Sequence, residues 1–162
     1  MIETTDIYRS IKKLLEANFS TVPVQTKDIK TPNPPCFYIK YITGKSIQTA
    51  AELENTEYSF EIIYFAKEES LLELLEAETK LKEILKKPLC IELADENTTA
   101  KQKQFQEIDS YSITLNEQDY VLSCIISLSI DQTTGTGCDT GTDFDNKFDE
   151  YNNEEFMEEV EI

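Results

Sequence analysis

Tyr120, Leu122, Cys124, Ile126, Leu128 and Ile130 occupy every second position of one segment, with Ser123, Ser127 and Ser129 between them. Successive side chains of a strand point to opposite faces, so this alternation commits the segment to a half-buried strand. A helix would scatter the same residues around its circumference. One apolar face and one hydroxyl-rich face call for a sheet with a covered side and a solvated side, as antiparallel sheets provide. The same alternation appears upstream, about residues 57–66, where Tyr58, Phe60, Ile62 and Tyr64 alternate with Ser59, Glu61, Ile63 and Phe65. Over residues 36–43, Phe37, Ile39 and Tyr41 alternate with Tyr38, Lys40 and Ile42. All three segments are rich in the β-branched and aromatic residues that fit a pleated surface.

Two segments carry the helical period instead. Ile7, Ile11, Leu14 and Leu15 predict a helix over residues 5–18, with Thr4 or Thr5 as N-cap and Asp6 at the positive end of the dipole. Leu71, Leu74, Leu75, Leu81, Ile84 and Leu85 predict a second helix from Glu68 or Ser70 to Lys87, stopped by Pro88. Its pairs Glu76–Lys80, Glu78–Lys82 and Glu83–Lys87 stand in the favourable i,i+4 order.

Shorter signals fill the gaps. Residues 22–26 read as a short strand that Pro23 restricts to an edge or a strand start. Thr31-Pro32-Asn33-Pro34-Pro35 is a stiff connector. The polar link from Gly44 to Thr56 is long for a hairpin turn, and reads as either a mobile loop or a hairpin extended by poorly patterned strands. Residues 89–93 form a short strand, 94–103 a polar loop, and 104–116 one further strand that turns at Glu117-Gln118-Asp119. The order α-β-β-β-α-β-β-β implies an α+β domain over residues 1–131, an antiparallel or mixed β-sheet covered by two main α-helices.

Beyond Asp131 the pattern stops. Residues 132–142 hold three of the four glycines and read as a Gly/Thr linker. Residues 143–162 read as an acidic tail, disordered when free and punctuated by Phe144, Phe148 and Tyr151 at i, i+4, i+7. That spacing would align the three rings if the tail turned helical in a partner's groove; the alternative is a solubilising tail with no docking role.

The chain carries 32 acids against 15 bases, a net charge of −17, and residues 139–162 supply ten of the acids against Lys147 alone. No basic stripe offers a grip on a phosphate backbone, so direct nucleic-acid binding is not expected. Anionic lipid is disfavoured for the same reason, and no apolar run approaches the ~20 residues that span a bilayer. The acidic N-terminus lacks the basic and apolar regions of a secretory signal, so the chain is expected to start life in the cytosol.

With no histidine in the chain, Ser-His-Asp and Cys-His arrangements are ruled out, and its four cysteines form no Cys-x-x-Cys pair, so neither a zinc site nor a histidine-based catalytic site is expected. Cys36, Cys90 and Cys124 sit in apolar segments and read as reduced, buried thiols. Gly135, Gly137 and Gly141 miss the spacing of a phosphate loop. Asp143 as the first residue of a calcium loop would put Phe148 where a glycine is required. No catalytic residue, metal site or cofactor is therefore assigned; the chain reads as a protein that works through its surfaces.

The helix ending near Asn18-Phe19, the proline-led strand Pro34-Pro35-Cys36-Phe37-Tyr38-Ile39, the segment Tyr58–Phe65, the helix through Leu71–Leu85 and the hairpin Tyr111–Ile130 together resemble the phage tail terminator proteins of Gram-positive bacteria and their prophages. The resemblance covers about four-fifths of the chain and rests on pattern, without a sharp motif. It implies a virion structural protein assembled in the host bacterial cytoplasm. Such proteins form a homohexameric ring at the head-proximal end of the tail. The ring ends polymerisation of the tail tube (and sheath, in contractile tails) and joins the neck or head-completion protein. The long acidic tail departs from the family pattern. Residue-level sites do not carry over. From the residues themselves, the polar link is the expected partner interface, with Gly44, Lys45, Ile47 and Gln48, together with Phe144, Phe148 and Tyr151 of the tail. A different neck component, or an acidic nucleic-acid mimic, are the rival readings.

Overall fold

The structure, a computed structural model, describes residues 2–26, 30–93 and 102–133. Most of the expected 94–103 loop, the linker from residue 134 onward and the tail with Phe144, Phe148 and Tyr151 lie outside the described residues.

The elements are α1 (Thr4–Asn18), β1 (Val24–Gln25), β2 (Cys36–Ala50), β3 (Leu53–Phe65), α2 (Leu71–Leu85), β4 (Leu89–Leu93), β5 (Gln102–Gln106), β6 (Ser110–Asn116) and β7 (Val121–Thr133). Five strands form a mixed sheet in the order β1-β2-β3-β7-β6, and β4 with β5 makes a separate two-stranded sheet. Only β1 runs parallel to its neighbour. The fold is α+β, as the alternating segments require.

Both helices cover one face of the large sheet. Ile7, Ile11 and Leu15 of α1 and Leu74, Leu81 and Leu85 of α2 are buried with Phe37, Phe60, Ile62, Leu122, Ile126 and Leu128 in one core. The covered positions are the alternating ones: Tyr58, Phe60, Ile62 and Tyr64 of β3, and Leu122 to Ile130 at every second residue of β7. Burying each large apolar side chain contributes ~1.5–3 kcal/mol, which is why the alternation sets the register.

Several boundaries differ from the sequence expectation, each for a local reason. The N-cap of α1 is Glu3 rather than Thr4 or Thr5; Asp6 closes a capping box by accepting the Glu3 N–H at 2.9 Å. The single strand expected over 104–116 is two strands belonging to different sheets: β5 pairs with β4 and β6 with β7. The intervening Glu107-Ile108-Asp109 carries the chain between them, and Asp109 N–H already donates to Ser127 O at 2.9 Å. Strand β7 runs two residues into the expected linker because Gln132 and Thr133 pair with Glu54 and Leu53 of β3, and the Gln132 side chain also accepts the Ile2 N–H at 2.9 Å and donates to its carbonyl at 3.3 Å. On α2, Glu78–Lys82 forms an ion pair at 2.8 Å, Lys80 instead sits 4.7 Å over the Phe19 ring, and Lys87 lies past the helix end.

The polar link resolves as the second of its two readings. Strands β2 and β3 continue as a hairpin arm to the turn at Ala51-Glu52, and β7 follows β3 up to Leu53.

Candidate interaction surface

The arm owes its shape to two register shifts. Between Tyr41↔Phe60 and Thr43↔Ser59 one extra residue, Ile42, is inserted into β2, and a second irregularity lies between Gln48 and Ala50. A bulge bends the strand that carries it and increases the local twist. From Lys40 to Ala50 every β2 residue is exposed, whereas Thr56, Tyr58, Leu128 and Ile130 at the same height on β3 and β7 are buried. Ile2, just ahead of α1, is buried and tied to Gln132 on the β7 side of the arm, whereas β2 stays exposed.

All four described interface candidates lie on this overhang. Gly44 and Gln48 stand on the helix side, paired with Tyr58 and Glu54; Lys45 and Ile47 stand on the helix-free side, opposite Glu57 and Asn55. Gly44 is there for room: a Cβ built on it would lie 2.5 Å from Tyr41 Oη. The Tyr41 ring folds over the glycine and packs on Phe60 with centroids 5.4 Å apart. Tyr41, Ile42, Ile47 and Leu53 are large apolar side chains 41–52% exposed along the arm. Phe144, Phe148 and Tyr151, the other three interface candidates, lie outside the described residues.

The helix-free face of the sheet is a ladder of cross-strand polar contacts. Ser59 and Ser127 hydroxyls are 3.0 Å apart, Ser123 Oγ donates to Glu61 Oε1 at 2.6 Å, and Asn55 Nδ2 donates to Asp131 Oδ1 at 2.7 Å. On the helix side of the arm, Ser46 and Thr56 hydroxyls meet at 2.8 Å. Such pairs keep an uncovered sheet soluble and in register.

A second exposed set was hidden in the α2 stripe. Leu74, Ala77, Leu81, Ile84 and Leu85 face the core, but Leu71 and Leu75, expected in the same stripe, are each 42% exposed, and Leu72 is 65% exposed. At ~100° per residue, Leu72 falls on the opposite side of the helix from Leu81. Four leucines within five residues exceed what one face can bury, and that excess was the available signal. Phe105 on β5, 67% exposed, gave no signal because its strand was merged with β6.

Among the described residues no group of three or more Cys, Asp or Glu residues is placed to hold a metal. One depression is lined by charged side chains paired with one another: Arg9 with Asp6, Lys12 with Glu16, and Lys13 with Glu92 at 2.7 Å between α1 and β4. Burial pushes the Cys124 thiol up to about 12 and raises Cys36 as well, the opposite of what a nucleophilic thiolate needs. Among the described residues no helix is long and apolar enough to cross a membrane.

The chain matches a family model described as phage tail terminator protein over residues 6–131, from the first turn of α1 to near the end of β7. No curated protein matches it.

Proposed function

The chain belongs to the phage tail terminator protein family, and on that premise we propose that it closes into a homohexameric ring on the head-proximal end of a phage tail. Membership makes it a structural component of tail assembly and of the virion. The finer reading is that the ring ends addition of tube (and sheath) subunits and presents the joint to a neck or head-completion protein.

The family match carries this reading, and the surface is of the kind it needs. Capping a polymer requires a face complementary to its last ring and a far face that refuses the next subunit; it requires no turnover. An overhanging arm with four exposed apolar side chains is a contact device. The protein works by contact and not as an enzyme.

Native mass spectrometry tests the ring, with six subunits expected. Electron microscopy of purified tail tubes incubated with the protein tests the cap: a ring at one end, and tubes that no longer elongate. A monomer at high concentration that leaves tubes unbound and still growing would overturn the proposal.

A further inference from the structure

A cyclic ring needs two different patches on each subunit, because a patch that pairs with itself closes a dimer and stops. The large sheet supplies such a pair. On one side it ends at β1, which covers only Phe37 and Tyr38 of β2, so the exposed run Lys40–Ala50 has no described strand beside it. On the other side it ends at β6, whose seven residues have no described strand along their outer edge. The stretch of β7 beyond β6 is already engaged: Ser127 O accepts from Asp109 N–H at 2.9 Å, and Ser129 O from Gln106 Nε2 at 3.0 Å. An open edge is a row of backbone donors and acceptors that a strand of another chain can satisfy.

We propose that the outer edge of β6 in one subunit pairs with the Lys40–Ala50 edge of β2 in the next copy of the chain. This pairing rests on the ring reading and gives it its two contact surfaces. Direction fits first. The pairs β2–β3, β3–β7 and β7–β6 are all antiparallel, so β2 and β6 run in opposite senses. Copies set side by side with their helices on the same side therefore meet as antiparallel strands, which continues the sheet's own pattern. Faces fit next. On the helix side β6 carries Tyr111, Ile113 and Leu115, only partly buried against their own core, and β2 carries Tyr41, Gly44 and Ser46. Joining the edges covers the open flank of both sets.

Charge fits as well. From Ser110 to Asn116 β6 has no charged residue, and the exposed run of β2 has only Lys40 and Lys45, which stand opposite Glu61 and Glu57 of their own sheet. On the helix-free side the lysines would therefore meet the exposed Ser110, Ser112, Thr114 and Asn116, with no like charge set against them. The flanks limit the register. Sliding β6 toward the arm's tip would bring Glu107 and Asp109 up to Glu52 and Glu54, and sliding it the other way is blocked by β1. If the new strand passes the extra residue Ile42 as β3 does, β6 lies along Lys40–Ile47 with Ser112 level with Lys45. Pairing β2 with β2, or β6 with β6, would join two copies about a two-fold axis and leave no ring.

Cysteine cross-linking tests it on the full chain in a Cys90→Ser, Cys138→Ser background. Lys45 and Ser112 are both exposed, so replacing them leaves the core intact. Lys45→Cys chains mixed with Ser112→Cys chains and treated with a short bismaleimide should give covalent dimers that join the two kinds of chain. Chains carrying both changes should give a ladder of linked subunits. Rings seen by native mass spectrometry that yield no mixed link would overturn the pairing and leave the ring standing; a chain that stays monomeric would remove both. Links only between like chains would assign self-pairing edges and refute the proposal. Independently, Ser112→Lys should weaken ring formation at least about tenfold, each interface gaining a like-charge contact with Lys45, whereas Ser112→Glu should not. Equal loss with either charge, or none with lysine, would count against β6 as the partner edge.

Discussion

The Tyr64 hydroxyl donates to Glu73 Oε1 at 2.7 Å, joining the end of β3 to the first turn of α2. The same carboxylate accepts the backbone N–H of Lys67 at 2.8 Å and of Glu68 at 3.1 Å, so one side chain closes the whole connection. Ser70 caps the helix by accepting from Glu73 N–H at 3.4 Å. Burial alone would raise the Glu73 pKa, but the hydrogen bonds from Lys67, Tyr64 and Glu68 and the charge of Lys67 outweigh it, and the carboxyl is held below its ordinary value. Burial and the facing carboxylate push the Tyr64 hydroxyl strongly upward, so it stays a donor.

A depressed carboxylate contributes stability that is present above its unfolded pKa, ~4.3, and is lost as pH falls through the lower folded value. Glu73→Gln should therefore lower stability by about 1–2 kcal/mol at neutral pH, discounted for partial solvent exposure. In urea titrations its loss of stability below about pH 4 should be shallower than that of the unmodified protein. Parallel acid limbs would show that Glu73 does not hold this connection.

Gly44→Ala forces the Tyr41 hydroxyl to move, and that hydroxyl is the far end of an exposed side chain. We expect a cost below about 1 kcal/mol, since a strand glycine is itself ~0.5–1 kcal/mol worse than alanine. In a Tyr41→Ala background the same change should become neutral or stabilising. Additivity across that double-mutant cycle would disprove the contact.

Ile47→Lys on the arm should leave thermal unfolding within about 0.5 kcal/mol of the parent, because Ile47 is 52% exposed. It should nevertheless weaken ring formation and tube binding at least tenfold in sedimentation and pull-down assays. Unchanged assembly would remove the arm from the interface.

Cys36 and Cys124 are buried and free, and Cys90 is partly accessible. In a Cys138→Ser background at pH 8, a thiol reagent should modify Cys90 within minutes and the other two only at the rate of unfolding. Fast labelling of Cys124 would contradict its place in the core.

Phe60→Ala should cost about 3–5 kcal/mol, since Phe60 is 1% exposed at the centre of the sheet. The chevron of this variant measures the loss directly, and a cost under about 1 kcal/mol would place Phe60 outside the core.

Period was what the sequence determined. Alternation in Tyr58–Tyr64 and Tyr120–Ile130 assigned every core position of β3 and β7, because burial on one side of a pleat leaves no other arrangement. Helical spacing placed Ile7, Ile11 and Leu15 correctly, and the absence of histidine by itself excludes histidine-based catalytic sites. Where period was weak, tertiary contacts decided. Residues 44–50 and 53–56 carry no clean alternation, yet they are strand, because backbone pairing of β2 with β3 and of β3 with β7 holds them whatever their side chains. Leu71 and Leu75 fit the α2 stripe by spacing but face solvent, since the sheet beneath has room for only one side of the helix. Ile42 alone could not announce that it is the extra residue of a bulge; that follows from its partner strand. The bulge puts Lys40 and Lys45, five residues apart, on the same face.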